Sequence, residues 1–113
     1  MREKAMREVI RAQLGALRAD AGVELVACKD EGVGDYLTGK ADALTVAMQM
    51  VESKALLESM AHFLRHEETR NMNMAESARL CSKDTMARLR EGAAAGYMAA
   101  SRVVTEIREM NKS

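Results

Sequence analysis

Apolar residues recur at helical spacing in the first part of the chain. They are Met6, Ile10, Leu14, Leu17 and Ala21. Steps of three and four residues place such side chains on one face of an α-helix. The pattern therefore predicts a first helix over residues 2–20, with Gly22 as its C-terminal stop.

The next segment, residues 23–28, reads Val-Glu-Leu-Val-Ala-Cys and is the only stretch with strand character. A single short strand without a partner leaves its backbone polar groups unpaired. A continued short helix is therefore the favoured interpretation, with a strand as the alternative. The two glycines in residues 29–34 then predict a loop.

Two apolar seams run along residues 35–68, which predicts one long helix with Asp35 as its N-cap. One seam is Leu37, Ala41, Leu44, Met48, Val51 and Ala55, and the other is Val46, Met50, Leu57, Met60 and Leu64. Since a helix with two apolar faces packs on two sides, we expect it to be the centre of the fold. Its length of about 50 Å favours an elongated molecule or a dimer.

Two asparagines in residues 70–73 predict a turn, and a last helix follows over residues 74–110. A heptad seam runs along its second half. The seam is Leu89, Ala93, Gly96, Ala100, Val103, Ile107 and Met110. Gly92 marks a position where this helix is prone to break. The small residues of the seam permit close helix approach, either within one chain or between two copies.

Composition indicates an ordered chain with a thin core. The sequence has no proline or tryptophan and one phenylalanine, but 10 methionines. A core poor in large aliphatic side chains gains less free energy on folding, and self-association would bury more area. We therefore predict one all-α domain over residues 1–113, an elongated bundle of three main helices that assembles as a homodimer.

The net charge and the lack of long apolar segments make some classes of function less probable for this chain. The formal net charge is zero, with 17 basic and 17 acidic residues, which gives no bulk attraction to nucleic acid. No window of roughly 18 apolar residues is present, and the first residues lack a secretory pattern. We expect a cytoplasmic protein without membrane contact, in which Cys28 and Cys81 are reduced thiols.

Four basic residues near the start of the last helix are the main candidate binding site. They are Arg79, Lys83, Arg88 and Arg90. They suit phosphate groups or an acidic protein surface. The alternative is pairing with acidic residues of the central helix, namely Glu52, Glu58, Glu67 and Glu68. Met72 and Met74 flank the predicted turn and suit a docking point, unless they fold back over the end of the bundle.

Glu58, His62 and His66 share one helix face and have spacing that suits metal ligands. The alternative is a solvated polar stripe, and no second set of ligands occurs on another helix. We therefore predict no metal and no other cofactor. No nucleophile–base arrangement stands out, so we predict that the chain is not an enzyme.

Residues 36–44, Tyr-Leu-Thr-Gly-Lys-Ala-Asp-Ala-Leu, resemble a helix opening found in short helical proteins encoded by phages and prophages. The resemblance implies a protein that acts by binding a host component. Anti-defence inhibitors, including anti-CRISPR proteins, are one such class.

These observations predict a non-enzymatic, all-helical interaction protein whose partner is a host protein or protein complex. The first alternative is a nucleic-acid-associated protein that uses the four basic residues. The second is a metal-binding helical bundle.

Overall fold

The computed structural model describes residues 2–53 and 55–112, which form four α-helices joined by short connections. The helices are α1 (Arg2–Ala27), α2 (Glu31–Glu52), α3 (Leu57–Leu80) and α4 (Asp84–Met110). Together the helices form a body that measures 48 × 29 × 22 Å along its principal axes. The all-α prediction is confirmed, but the described chain has four main helices where three were predicted.

The first helix continues through the segment that was ambiguous in the sequence. Residues 23–27 are helical, so the prediction that Gly22 ends α1 is wrong, as is the strand alternative. The loop is also shorter than predicted, because the Asp30 side chain accepts a hydrogen bond of 2.9 Å from the Val33 backbone N–H. This N-cap starts α2 at Glu31 rather than at Asp35.

The predicted long helix over residues 35–68 is two helices. α2 ends at Glu52, and Ser53 adopts an extended backbone with its hydroxyl donating to the Met50 carbonyl at 2.6 Å. The Arg7 guanidinium from α1 donates to the Val51 carbonyl at 3.0 Å, which satisfies an acceptor at the end of α2. The first predicted seam therefore lies on α2 as far as Val51, and the second is divided between α2 and α3.

The predicted turn at residues 70–73 lies inside α3. The turn comes later, where Ser82 has φ 58° and the Lys83 N–H donates to the Ala78 carbonyl at 2.8 Å. Such a left-handed residue followed by a long backward hydrogen bond is a usual way to end a helix. Gly92 does not break α4, which runs without interruption from Asp84.

α2 and α4 form the centre of the molecule, since the backbone of each closely approaches all three other helices, whereas the backbones of α1 and α3 stay further apart throughout the described residues. The two central helices run parallel and approach backbone to backbone. A Cβ atom at Gly92 would overlap the Tyr36 carbonyl, one at Gly39 would overlap the Leu89 carbonyl, and one at Gly96 would lie 2.7 Å from the Lys40 carbonyl. Only glycine allows this approach.

The small-residue seam of the last helix is thus occupied within the chain, by α2. The homodimer prediction relied partly on that seam, so a dimer would have to form through a different surface. The large buried side chains come from all four helices. They are Ile10, Leu14, Leu44, Met60, Leu64 and Val104. They lie in the half of the molecule that contains the α2–α3 connection, and the opposite half is filled mainly by alanine and glycine.

Replacing Gly92 by alanine tests the helix contact. We expect Gly92→Ala to lower the free energy of unfolding by about 1–3 kcal/mol or more, because rigid backbone rather than a flexible side chain meets the added methyl. Gly22→Ala is the matched control, since nothing lies within 4 Å of its added Cβ. We expect that variant to gain about 0.5–1 kcal/mol from helix propensity. Urea unfolding in dilute solution measures both, and equal effects would contradict this packing.

Candidate partner-binding surface

Exposed apolar side chains collect at the end of the bundle that contains the α3–α4 turn. Val33 and Tyr36 stand on the first two turns of α2, exposed by 50% and 37% respectively, and Leu80 at the end of α3 is 82% exposed. The helices are joined there by small buried side chains such as Ala78 and Ala87. Because these fill little space, the larger side chains of this end remain at the surface.

A shallow cavity of about 380 Å³ lies at this end, and it brings together residues of α2, α3 and α4. We define the turn-end surface by five of its lining residues, Val33, Tyr36, Arg79, Arg88 and Glu91. Two of the predicted basic residues therefore lie in one place, although they belong to different helices. Lys83 is exposed nearby, as the residue that precedes α4.

The basic residues of the turn-end surface are paired with acids. The Arg88 guanidinium donates to Asp35 Oδ2 at 3.1 Å, and Arg79 pairs with Glu91. Neither acid is among the four glutamates expected as partners. Two of those are paired elsewhere, Glu52 with Arg11 and Glu67 with Arg70, each at 2.9 Å.

The fourth basic residue, Arg90, faces a separate cleft. This cleft of about 280 Å³ lies between α2 and α3 over a floor of α4, and its polar residues come from all three helices. They are Asp42, Glu67, Arg70, Asn71, Arg90 and Tyr97. The four predicted basic residues thus do not form one stripe along a single helix.

A buried asparagine organises the cleft. Asn71 is 2% exposed, and its amide donates to the Glu67 carbonyl at 2.7 Å and accepts from Arg90 at 3.2 Å. It occupies a helix seam whose other positions are mostly apolar, such as Leu64 and Ala75. This position in the apolar seam could have predicted that Asn71 is buried. The sequence Asn-Met-Asn at residues 71–73 favoured a turn instead, because asparagine is common in turns.

The Tyr97 hydroxyl shares the cleft. Burial raises the pKa of Tyr97, and the nearby Glu67 carboxylate raises it further, while Arg70 and Arg90 act in the opposite direction. The phenol therefore stays protonated at neutral pH. The cleft combines a neutral hydroxyl, carboxylates and guanidinium groups, which suits hydrogen bonding to a polar ligand or a partner side chain.

The methionine pair does not lie at a turn, because residues 70–73 are helical. Met72 is exposed on the outer side of α3, and Met74 is half-buried on the same helix. The predicted methionine tip at the end of the bundle is therefore wrong. Whether either residue contacts a partner remains a prediction.

The candidate metal ligands Glu58, His62 and His66 are all exposed on α3. Across residues 2–53 and 55–112, no group of three or more His, Cys, Asp or Glu side chains is placed to hold a metal ion. The helical spacing of the three residues is thus not completed by a ligand from another helix.

Comparison of the chain with protein-family models, with curated proteins and with solved structures gave no match. Within the part of the chain that the structure describes, no helix has both the length and the hydrophobicity needed to cross a membrane.

Asn71→Ala tests the role of the buried amide. We expect the variant to lose about 1–3 kcal/mol of unfolding free energy, because Arg90 is left without its acceptor in a partly buried site. Asn73→Ala, two residues away on the exposed side of α3, is the control and should change stability by less than about 0.5 kcal/mol. Equal losses in thermal or urea unfolding would show that the Asn71 network contributes nothing specific.

Proposed function

We propose that this chain is a non-enzymatic interaction module that binds a partner protein through the turn-end surface. The observation that carries the proposal is the placement of exposed Val33 and Tyr36 between two ion pairs, Arg88–Asp35 and Arg79–Glu91. Protein interfaces commonly combine an apolar centre with a polar rim, and they are enriched in tyrosine and arginine.

The charge of this surface favours a protein partner over nucleic acid. Each of its two arginines has an acidic neighbour, and Asp30 also lines the cavity. A phosphate backbone needs an excess of unpaired basic groups, whereas a protein surface can match alternating charges. The nucleic-acid alternative therefore ranks second. The metal-binding alternative ranks third, because its three residues lie on one exposed helix face.

The turn-end surface does not by itself identify the class of partner. The resemblance of residues 36–44 to phage proteins extends the proposal to a host protein or complex as the partner, with anti-defence inhibition, as in anti-CRISPR proteins, as one class of outcome. That support is the sequence resemblance alone. Several of the same residues have a packing role in this fold, since Leu37, Gly39, Ala43 and Leu44 are buried.

Affinity capture with the immobilised chain tests the proposal. We expect a retained host protein whose recovery falls about tenfold or more with Val33→Asp combined with Tyr36→Ala, because the apolar centre of the surface is lost. Met72→Asp is the matched control on another exposed apolar residue and should leave recovery unchanged.

The same experiment separates the alternatives. Nuclease treatment should not change recovery of the partner. Loss of the retained material on nuclease treatment, together with a steep decline as salt rises, would contradict the proposal and favour the nucleic-acid alternative. Loss with Met72→Asp but not with the double variant would move the binding surface to α3.

A further inference from the structure

The cleft that Arg90 faces contains a buried tyrosine whose hydroxyl has no partner in the fold. Tyr97 is 9% exposed, and its hydroxyl makes no hydrogen bond within residues 2–53 and 55–112. Among the described residues that are not exposed, every fully buried side-chain nitrogen or oxygen has a hydrogen-bond partner. The Tyr97 hydroxyl is therefore not sealed inside the protein, and it opens into the cleft that the residue lines.

Two opposite charges in the cleft also lack an ion-pair partner. Arg70 pairs with Glu67 at 2.9 Å, so these two charges compensate one another. Arg90 makes no ion pair in the described part of the chain. Its guanidinium donates to the Asn71 side-chain oxygen at 3.2 Å, which leaves most of its N–H donors available. Asp42 lines the cleft with an exposed side chain and likewise has no ion pair among the described residues.

The two unpaired charges lie close enough to Tyr97 to act on one hydroxyl. Burial is the main cause of the raised pKa of Tyr97, and among the charged groups Asp42 raises this pKa while Arg90 lowers it. Asn71, which is 2% exposed, holds the Arg90 guanidinium in place. A neutral donor, a cation and an anion therefore surround one cavity of about 280 Å³.

The rest of the lining is mainly apolar. It includes Val46 of α2 and Met86, Leu89 and Ala93 of α4. Apolar walls with a few convergent polar groups are typical of sites for small molecules, and such sites usually have volumes of about 300–1,000 Å³. The cleft is at the lower end of this range, so its ligand has to be small.

We propose that the cleft binds a small zwitterion, namely a free α-amino acid with an apolar side chain. The carboxylate of the ligand accepts hydrogen bonds from the Arg90 guanidinium and the Tyr97 hydroxyl. Its ammonium group pairs with Asp42, and its side chain packs against Leu89 and Met86. Hydrogen bonds that involve charged groups are stronger than neutral ones, so the two ends of the ligand supply both affinity and orientation.

The charges of the cleft favour a zwitterion over a ligand with one charge. A simple anion would pair with Arg90 but leave the Asp42 carboxylate beside it without compensation. A simple cation would pair with Asp42 but lie near the Arg90 guanidinium. Unpaired or like charges of this kind are the usual means by which a site rejects the wrong ligand.

The cleft shares no residue with the turn-end surface. Binding of an amino acid is therefore separate from the proposed binding of a partner protein, and either can fail without the other.

Proton–nitrogen correlation NMR of the full chain tests the site by titration with L-leucine, L-methionine and L-phenylalanine. We expect at least one of them to bind with a Kd between about 10 μM and 1 mM, since a ligand of this size makes few contacts. The shift changes should concentrate at the amides around Asn71, Arg90 and Tyr97. No change with any of the three amino acids at about 10 mM, or changes confined to other parts of the molecule, would overturn the proposal.

Two analogues of the bound amino acid separate the zwitterion from its single charges. The amide keeps the ammonium group but has no carboxylate, and the deaminated acid keeps the carboxylate alone. We expect each to bind about tenfold or more weakly, because one charged group of the cleft is left without its partner. An analogue that binds as tightly as the amino acid would contradict recognition of both charges.

Tyr97→Phe isolates the hydroxyl. We expect the affinity for the amino acid to fall about tenfold, because one donor to the carboxylate is lost. The urea midpoint of the variant should not change, since the hydroxyl has no partner within the described fold. Tyr36→Phe, at the turn-end surface, is the matched control and should leave the affinity unchanged. A lower urea midpoint with unchanged affinity would show that the Tyr97 hydroxyl is structural and would overturn its place in the site.

Asp42→Asn tests the contact with the ammonium group. We expect the variant to bind the amino acid about tenfold more weakly and to bind the deaminated acid at least as well as before, because only the ammonium group pairs with this carboxylate. Asp20→Asn, at an exposed aspartate on α1, is the control and should change neither affinity. Equal losses for the amino acid and the deaminated acid would contradict the assigned orientation.

Discussion

The backbone of α2 lies directly against the backbone of α4, and the remaining packing depends on this contact. Gly39, Gly92 and Gly96 leave no room for a side chain, so the two helices approach more closely than aliphatic residues would allow. Dispersion contacts between backbones replace the side-chain burial that a chain poor in large aliphatics lacks. The contact makes α2 and α4 the central pair, with α1 and α3 added on either side.

The same contact determines which apolar side chains remain exposed at the surface. Close approach at the glycine end leaves little volume to fill, so the large side chains collect in the opposite half. Val33 and Tyr36 then lie at the surface near the α3–α4 turn. α1 covers one side of the central pair and keeps its second apolar face in solvent. Both the thin core and the exposed apolar surfaces therefore follow from a composition that is poor in large aliphatic side chains.

Helical periodicity predicted the all-α class and the small-residue seam of the last helix, but it did not predict the helix ends. The breaks at Ser53 and Ser82 contain neither glycine nor proline, and the apolar spacing continues across the first of them. Arg7 satisfies a carbonyl at the end of α2 from another helix, which no local pattern reveals. Conversely, Asn71 suggested a turn, yet its amide is satisfied inside a helix by a tertiary contact with Arg90.

The candidate surface was predictable to a similar extent. The sequence placed Arg79 and Arg88 in one candidate binding site, and in the fold both residues line the same cavity. Their acidic partners, Glu91 and Asp35, were not predictable, because each pairing joins two different helices. The exposed apolar face of α1, which includes Val9, Val23 and Val26, also follows a four–three repeat in the sequence. Its significance depends on knowing that the opposite face is the one buried, which required the fold.

Amide hydrogen exchange in dilute solution tests most directly whether the α2–α4 contact organises the molecule. Local stability is greatest where packing is most cooperative. If this contact organises the molecule, we expect the slowest exchange in the parts of α2 and α4 that flank Gly39 and Gly96, and much faster exchange in residues 22–27 of α1. Protection in α4 around Gly92 no greater than in the last turn of α1 would contradict it.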